Sequence, residues 1–113
     1  MEHKDDEVYL LHIRDAIAKI EKYLKGVKQE EFYKNSLLQD GVVRQISIIG
    51  EAAKRLSEGF REAHADIPWS RMVGMRNKLI HDYLGVDYES VWKTAEEDIP
   101  LLKAKINALG LTE

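Results

Sequence analysis

Between residues 5 and 25 the apolar positions Tyr9, Ile13, Ala16, Ile17, Ile20 and Leu24 recur at helical spacing among charged neighbours. That pattern predicts an amphipathic helix from Asp5 to Lys25, closed by Lys25-Gly26. Gln29 to Lys34 follow as a single helical turn with Phe32 folded onto the core. Ser36-Leu37-Leu38-Gln39 has the form of a capping box, in which the Ser36 side chain satisfies an orphan amide and opens a second long helix. Along that helix Leu38, Val42, Ile46, Ile49, Ala53 and Leu56 make one seam, while Val43, Ile48 and Ala52 extend the apolar surface to the other flank. A helix apolar on two sides is expected at the centre of the fold.

Glu58 to Ala65 are polar and predict a short, loosely attached helix before the break at Asp66-Ile67-Pro68-Trp69. Asp66 is expected to cap the next element and Pro68 to occupy its first turn. This third element runs through Met72 and Val73, is expected to loosen at Gly74, and continues to about His81. Gly85 and Asp87 mark a turn, with Asp87 as N-cap of a last helix carrying Val91, Trp92, Ala95, Ile99, Leu102 and Ile106, which Pro100 should kink or divide. The expected fold class is all-α, a helical bundle of about four main helices plus short ones, with Trp69 and Trp92 as its largest core anchors.

Composition narrows the function more than the fold. At 113 residues the chain is read as one domain spanning residues 1–113. Cysteine is absent, so any chemistry rests on His, carboxylates, Arg, Lys or Tyr. A formal net charge of −3 argues against an extended nucleic-acid surface and leaves room for a small local basic site. No apolar run reaches membrane-spanning length and residues 1–7 lack a signal-peptide core, so a cytoplasmic location is expected.

The densest chemistry lies in Arg76-Asn77-Lys78-Leu79-Ile80-His81-Asp82-Tyr83. Arginine presents a permanently charged planar fork that matches phosphate, and histidine exchanges a proton near neutrality. On an ideal helix Asn77 and His81 share a face, as do Leu79 and Tyr83, but Arg76 and His81 stand well round the cylinder from each other. A two-fold dimer would solve this by bringing two copies of the patch face to face. Such a cleft suits metal-independent RNA cleavage: His81 takes the proton of a ribose 2′-hydroxyl, a second His81 protonates the leaving oxygen, and Arg76 stabilises the phosphoryl charge. Asn77 would position His81 or the phosphate, Tyr83 the substrate, and Lys78 and Arg71 would add phosphate contacts. The plainer reading of such a segment is a solvated helix face.

Outside it, Gly50 lies mid-helix, where glycine costs about 1 kcal/mol relative to alanine and so suggests close approach of another backbone. Glu51 beside it is read either as a solvated charge or as a group that orients a basic side chain. His12 is expected on a helix flank with its ring partly covered, and His64 and His3 have no partner at ligand spacing.

The Arg-x4-His-x-Tyr run resembles the signature of HEPN domains, specifically of the HepT-like toxin family. The resemblance covers most of the chain. It includes Tyr9-Leu10-Leu11-His12-Ile13, Gln39-Asp40-Gly41-Val42-Val43-Arg44, Ile48-Ile49-Gly50-Glu51-Ala52-Ala53, Ile67-Pro68-Trp69, Gly74-Met75-Arg76-Asn77, Leu79-Ile80-His81-Asp82-Tyr83, Val91-Trp92 and Asp98-Ile99-Pro100-Leu101-Leu102. Two departures are Ala65, where proline usually follows His64, and Gly41, where alanine is usual. The resemblance implies a dimeric HEPN ribonuclease toxin acting on RNA, with Arg76 and His81 in the catalytic positions and no cofactor. It also implies a minimal nucleotidyltransferase antitoxin that silences the toxin by transferring AMP from ATP onto Tyr83, the two forming a hetero-oligomer. The alternative is a non-catalytic helical interaction module that binds this nucleotidyltransferase and accepts AMP. A nucleotide clamp built on Arg76 and Lys78 is weaker, because no Gly-rich phosphate loop accompanies it.

Overall fold

The computed structural model describes residues 2–82 and 84–111, and among them every regular element is helical. In chain order these are α1 (Glu2–Leu24), α2 (Gln29–Lys34), α3 (Ser36–Arg55), α4 (Glu58–Ala63), α5 (Trp69–His81), α6 (Tyr88–Lys93), a π-helical segment (Thr94–Asp98) and α7 (Ile99–Asn107). The all-α expectation is met. No helix among the described residues is long and apolar enough to cross a membrane.

α3 is the central element, with α1 packed along one side and α5 along another. Its seam does what the spacing predicts: Val42, Ile46, Ile49, Ala53 and Leu56 are buried, as is Ala52 on the second flank. Leu10, Ile13, Ala16, Ile17 and Ile20 supply the facing stripe of α1, and Trp69, Met72 and Leu79 that of α5. α7 packs against α1, and α2 against α3 and α6.

Phe32, carried on the short α2, is the largest fully buried side chain. Its ring lies 5.3 Å from that of Trp92, which is only half-buried. The core anchors are therefore Phe32 and Trp69, with Trp92 as a lid on the former. The buried indole of Trp69 keeps its polar atom satisfied by donating from Nε1 to the His64 carbonyl at 3.0 Å.

Five local expectations are corrected. The cap of α3 is Asn35, whose Oδ1 accepts from the Leu38 amide at 3.1 Å, so Ser36 is the first helical residue. Gln39 does not reach back to close a box; its Nε2 donates to the carbonyls of Phe32 and Tyr33, tying α2 to α3. Pro68 sits just before α5 with φ −79° and ψ 67°, an inverse γ-turn in which the Trp69 amide meets the Ile67 carbonyl at 2.8 Å. Asp66 makes no cap there and faces Lys105 Nζ at 3.4 Å instead. α5 is not loosened at Gly74 but runs unbroken, because α3 supports it along its length.

The last helix is divided, as Pro100 predicts, but one turn earlier. The Ile99 amide bonds to the Thr94 carbonyl in a π turn, and Pro100 then falls in the first turn of α7, where its missing N–H costs nothing. Asp87 caps α6 as expected, accepting from the Glu89 and Ser90 amides. One long-range tie has no counterpart in the sequence reading: the buried carboxylate of Asp6 accepts from both the amide and the hydroxyl of Ser57, each at 2.7 Å, and Ser57 in turn caps α4.

Candidate functional site

The buried stripe of α5, Trp69, Met72 and Leu79, has Arg76 in its register, four residues after Met72 and three before Leu79. A charged side chain is thereby rooted on the helix face turned toward α3. Space for that root comes from Gly50: a Cβ placed there would collide with Arg76 Cβ and lie 2.7 Å from the Met72 carbonyl oxygen. The close approach expected of Gly50 is therefore that of α5, and it places Arg76 over α3.

Arg76 retains only 22% side-chain exposure, and a cation so covered needs partners. Glu51 Oε1 receives its Nη2 at 2.7 Å, and Asn77 Oδ1 receives its Nη1 at 2.9 Å. The second oxygen of Glu51 accepts from Arg55 Nε at 2.8 Å. Glu51 is thus the orienting carboxylate rather than a solvated charge. The hydrogen bond from Arg55 is the main influence holding its carboxyl below the usual carboxylate range; burial opposes this, and the charges of Arg76 and Lys54 add to it. Arg55 is held above the ordinary arginine value by Glu51 first and by Tyr9 second. Two guanidinium groups against one carboxylate leave a positive excess on this side of α3, which suits an anion.

His81 closes α5 and is exposed. Among the described residues no hydrogen bond or ion pair joins it to Arg76, and Asn77 engages Arg76 rather than His81. The separation of Arg76 and His81 round the helix persists in the fold. Ile80 and Leu84, close to His81 in the chain, are 52% and 89% exposed, so two apolar side chains near the end of α5 are uncovered in the single chain. Tyr83 lies outside the described residues. Lys78 is exposed, and Arg71 pairs with Asp98 at 3.2 Å.

The model of the Ribonuclease HepT-like family matches residues 13–109, a span that contains Gly50, Glu51, Arg76 and His81. The chain belongs to that family. Among its relatives is "Probable ribonuclease HepT" of Thermococcus cleftensis, 45% identical over 95% of this chain and 94% of the relative. Another, a "Putative RNase" of Caldanaerobacter subterraneus, is 40% identical over 94% of this chain and 95% of the relative. A third, the "Gamma-glutamylcyclotransferase and putative RNase" of Methanocaldococcus jannaschii, is 45% identical over 91% of this chain; the chain spans 46% of that longer protein. No solved structure matches.

Two features of this HepT-like chain were not singled out from its sequence as functional. Arg55 was signalled only by its spacing of four from Glu51, a pairing that helices commonly make. Tyr9 and His12 of α1 border the same cluster, and His12, expected to be partly covered, is exposed. Of the departures from the family pattern, Gly41 has a local reason: a Cβ there would meet the Tyr23 ring at 3.2 Å.

Proposed function

We propose that the protein is a metal-independent HEPN ribonuclease toxin that works as a homodimer in the cytoplasm. The observation that carries this reading is Arg76, rooted over Gly50 and held by Glu51 and Asn77 on the same helix that ends in the exposed His81. In the proposed reaction His81 removes the proton of a ribose 2′-hydroxyl, and the 2′-oxygen attacks the adjacent phosphorus. The bond from phosphorus to the 5′-oxygen breaks, and the leaving oxygen takes a proton from His81 of the second copy. Products are a 2′,3′-cyclic phosphate and a 5′-hydroxyl. Arg76 donates to the phosphoryl oxygens as charge builds on them, and its orientation by Glu51 reduces the reorganisation this requires. Lys78 and Arg71 add weak phosphate contacts, Arg71 through the donors that its pair with Asp98 leaves exposed.

Neutralisation is assigned to a nucleotidyltransferase antitoxin. The Tyr83 oxygen attacks the α-phosphorus of ATP, pyrophosphate leaves, and the AMP adds negative charge two residues from His81, opposing RNA. This part rests on the sequence resemblance.

The test is cleavage of a labelled single-stranded RNA in excess chelator by wild type and by His81→Ala. Wild type is expected to cut RNA and leave the matching DNA intact, and His81→Ala to lose activity with unchanged helicity. Equal cleavage by both refutes the assignment of His81. No cleavage by wild type whose Tyr83 carries no AMP favours the interaction-module alternative.

A further inference from the structure

A concavity of about 300 Å³ lies between α1 and α3, lined by Tyr9, His12, Ile48, Glu51, Ala52 and Arg55. Its size falls at the small end of small-molecule sites, roughly 300–1,000 Å³. Ile48 and Ala52 contribute aliphatic surface. Tyr9 and His12 contribute two rings, set edge to face with centroids 6.2 Å apart. Arg55 supplies a guanidinium that is 57% exposed. Glu51 connects this hollow to the candidate centre, since one of its oxygens holds Arg55 at 2.8 Å and the other holds Arg76 at 2.7 Å. The hollow and Arg76 are therefore neighbours across a single carboxylate.

An apolar slot with aromatic walls and a cationic rim, one side chain away from a phosphate-binding arginine, matches one nucleotide of a single strand. Unpaired bases bury their faces against aromatic or guanidinium planes while the backbone runs past cations. Three other concavities formed by the described residues lack this combination. Those along α1 and α7 carry Glu21 with Glu96 or Asp15, and the one beside Trp69 carries Glu58 and Glu62. None of the three sets two aromatic rings beside a guanidinium, and none shares a residue with the Arg76 cluster.

We propose that the Tyr9–His12–Arg55 hollow is a nucleobase subsite, which receives the base of an RNA nucleotide next to the phosphate bound at Arg76. The inference rests on the ribonuclease reading and extends it: the subsite sets which unpaired nucleotide must flank the cut. Paired RNA keeps its bases stacked in the helix, so the enzyme selects single strands through this slot.

The test combines removal of the base with removal of the walls. A short single-stranded RNA that the protein cleaves is prepared with one abasic nucleotide at each position around the cut. Cleavage is measured with wild type, with His12→Ala and with Tyr9→Leu, each checked for unchanged melting; His12 is exposed, which keeps one variant informative if Tyr9→Leu unfolds. Base removal at one position is expected to lower wild-type kcat/KM about tenfold, the scale of one base–aromatic contact. Each variant should show a loss of similar size on intact RNA and little further loss on the abasic strand. If the two losses simply multiply, or if base removal at no position affects wild type, the subsite is wrong while the nuclease stands. If RNA is bound but not cut, the same scan read as fluorescence anisotropy Kd decides the subsite, and the nuclease reading falls. RNA neither bound nor cut overturns both.

Discussion

Gly50 and Gly74 both lie inside helices, yet alanine should act on them with opposite sign. At Gly74 a new Cβ has nothing within 4 Å, so Gly74→Ala gains only the lower backbone entropy of alanine. That is worth about 1 kcal/mol. At Gly50 the same gain meets a collision with Arg76 Cβ, with the Met72 carbonyl oxygen at 2.7 Å and Arg76 Cγ at 3.0 Å. A carbon–oxygen contact relaxes near 3.3–3.6 Å, so α3 and α5 must part by at least about 0.6 Å. These atoms belong to the root of a helix, and neither can swing away as a side-chain tip does. Overpacking of this kind costs typically 1–3 kcal/mol, and opening the interface forfeits dispersion along it. A cost near the upper end, less the helix-propensity gain, leaves Gly50→Ala destabilised by about 2 kcal/mol. For a chain of this size that lowers Tm by roughly 8 °C, whereas Gly74→Ala should raise it by a few degrees. Thermal melts followed by circular dichroism, with all three proteins in one buffer, read both signs. A Gly50→Ala protein as stable as wild type would refute the close approach of α5 and the placement of Arg76 derived from it. RNA cleavage in Gly50→Ala should fall as well, by up to about a hundredfold, because Arg76 is displaced on the ångström scale.

Glu51→Gln removes the charge shared by Arg55 and Arg76. Because the folded carboxyl is held below its ordinary value of 4.5, its stabilisation is complete above that value and is lost as pH falls through the folded value, so wild type and variant should differ at neutral pH and converge in acid; a pH-independent gap in Tm would refute this. Asp6→Ala leaves the amide and hydroxyl of Ser57 without their buried acceptor and should cost about 1.5–3 kcal/mol, measured by urea unfolding; a loss below about 0.5 kcal/mol would dismiss the tie between α1 and the α3–α4 junction. Because the proposed reaction uses the His81 of both copies, mixing inactive Arg76→Ala and His81→Ala proteins should restore no cleavage, since a mixed dimer holds a single His81. A cleft in which Arg76 from one protomer and one His81 from the other sufficed would instead recover about a quarter of wild-type cleavage, half of the dimers being mixed and each carrying one intact pair. No recovery after subunit exchange is verified would exclude that division of labour.

The sequence made legible what is periodic and local. The two-sided apolar pattern of α3 survives as a signal because two different helices cover it, and Gly50 stood out because glycine in such a helix needs a reason. Glu51 was readable as an orienting group once Gly50 brought a neighbour close. Contests between equivalent residues were not readable. Asn35 and Ser36 are both good caps, and the choice follows from Gln39 engaging the α2 carbonyls, a tertiary event. Gly74 reads as a weak point in isolation, but α5 lies on α3 and holds its helix there. Asp6 and Ser57 stand 51 residues apart, and the side of α1 that brings Tyr9 and His12 to Arg55 depends on how two helices pack.

The phase of α5 carries the strongest constraint on mechanism. Five residues at about 100° each place His81 about 140° round the axis from Arg76. Arg76 must face α3, since Gly50, Glu51 and the stripe of Met72 and Leu79 all fix that side. His81 must then face outward, and it does, between the exposed Ile80 and Leu84. Rotating the helix to bring the imidazole inward would expose Met72 and Leu79, at a cost of about 1.5–3 kcal/mol for each large apolar side chain, and would break the ion pair of Arg76. The helix is therefore locked in this phase. A reaction that uses both groups on one phosphate cannot be assembled by turning α5. It requires a strand of RNA that passes over the edge of the helix, or a second copy whose own α5 supplies the missing side chain across an apolar contact. The proposed homodimer takes the second solution, and the exposed Ile80 and Leu84 give it apolar surface to bury beside the end of α5.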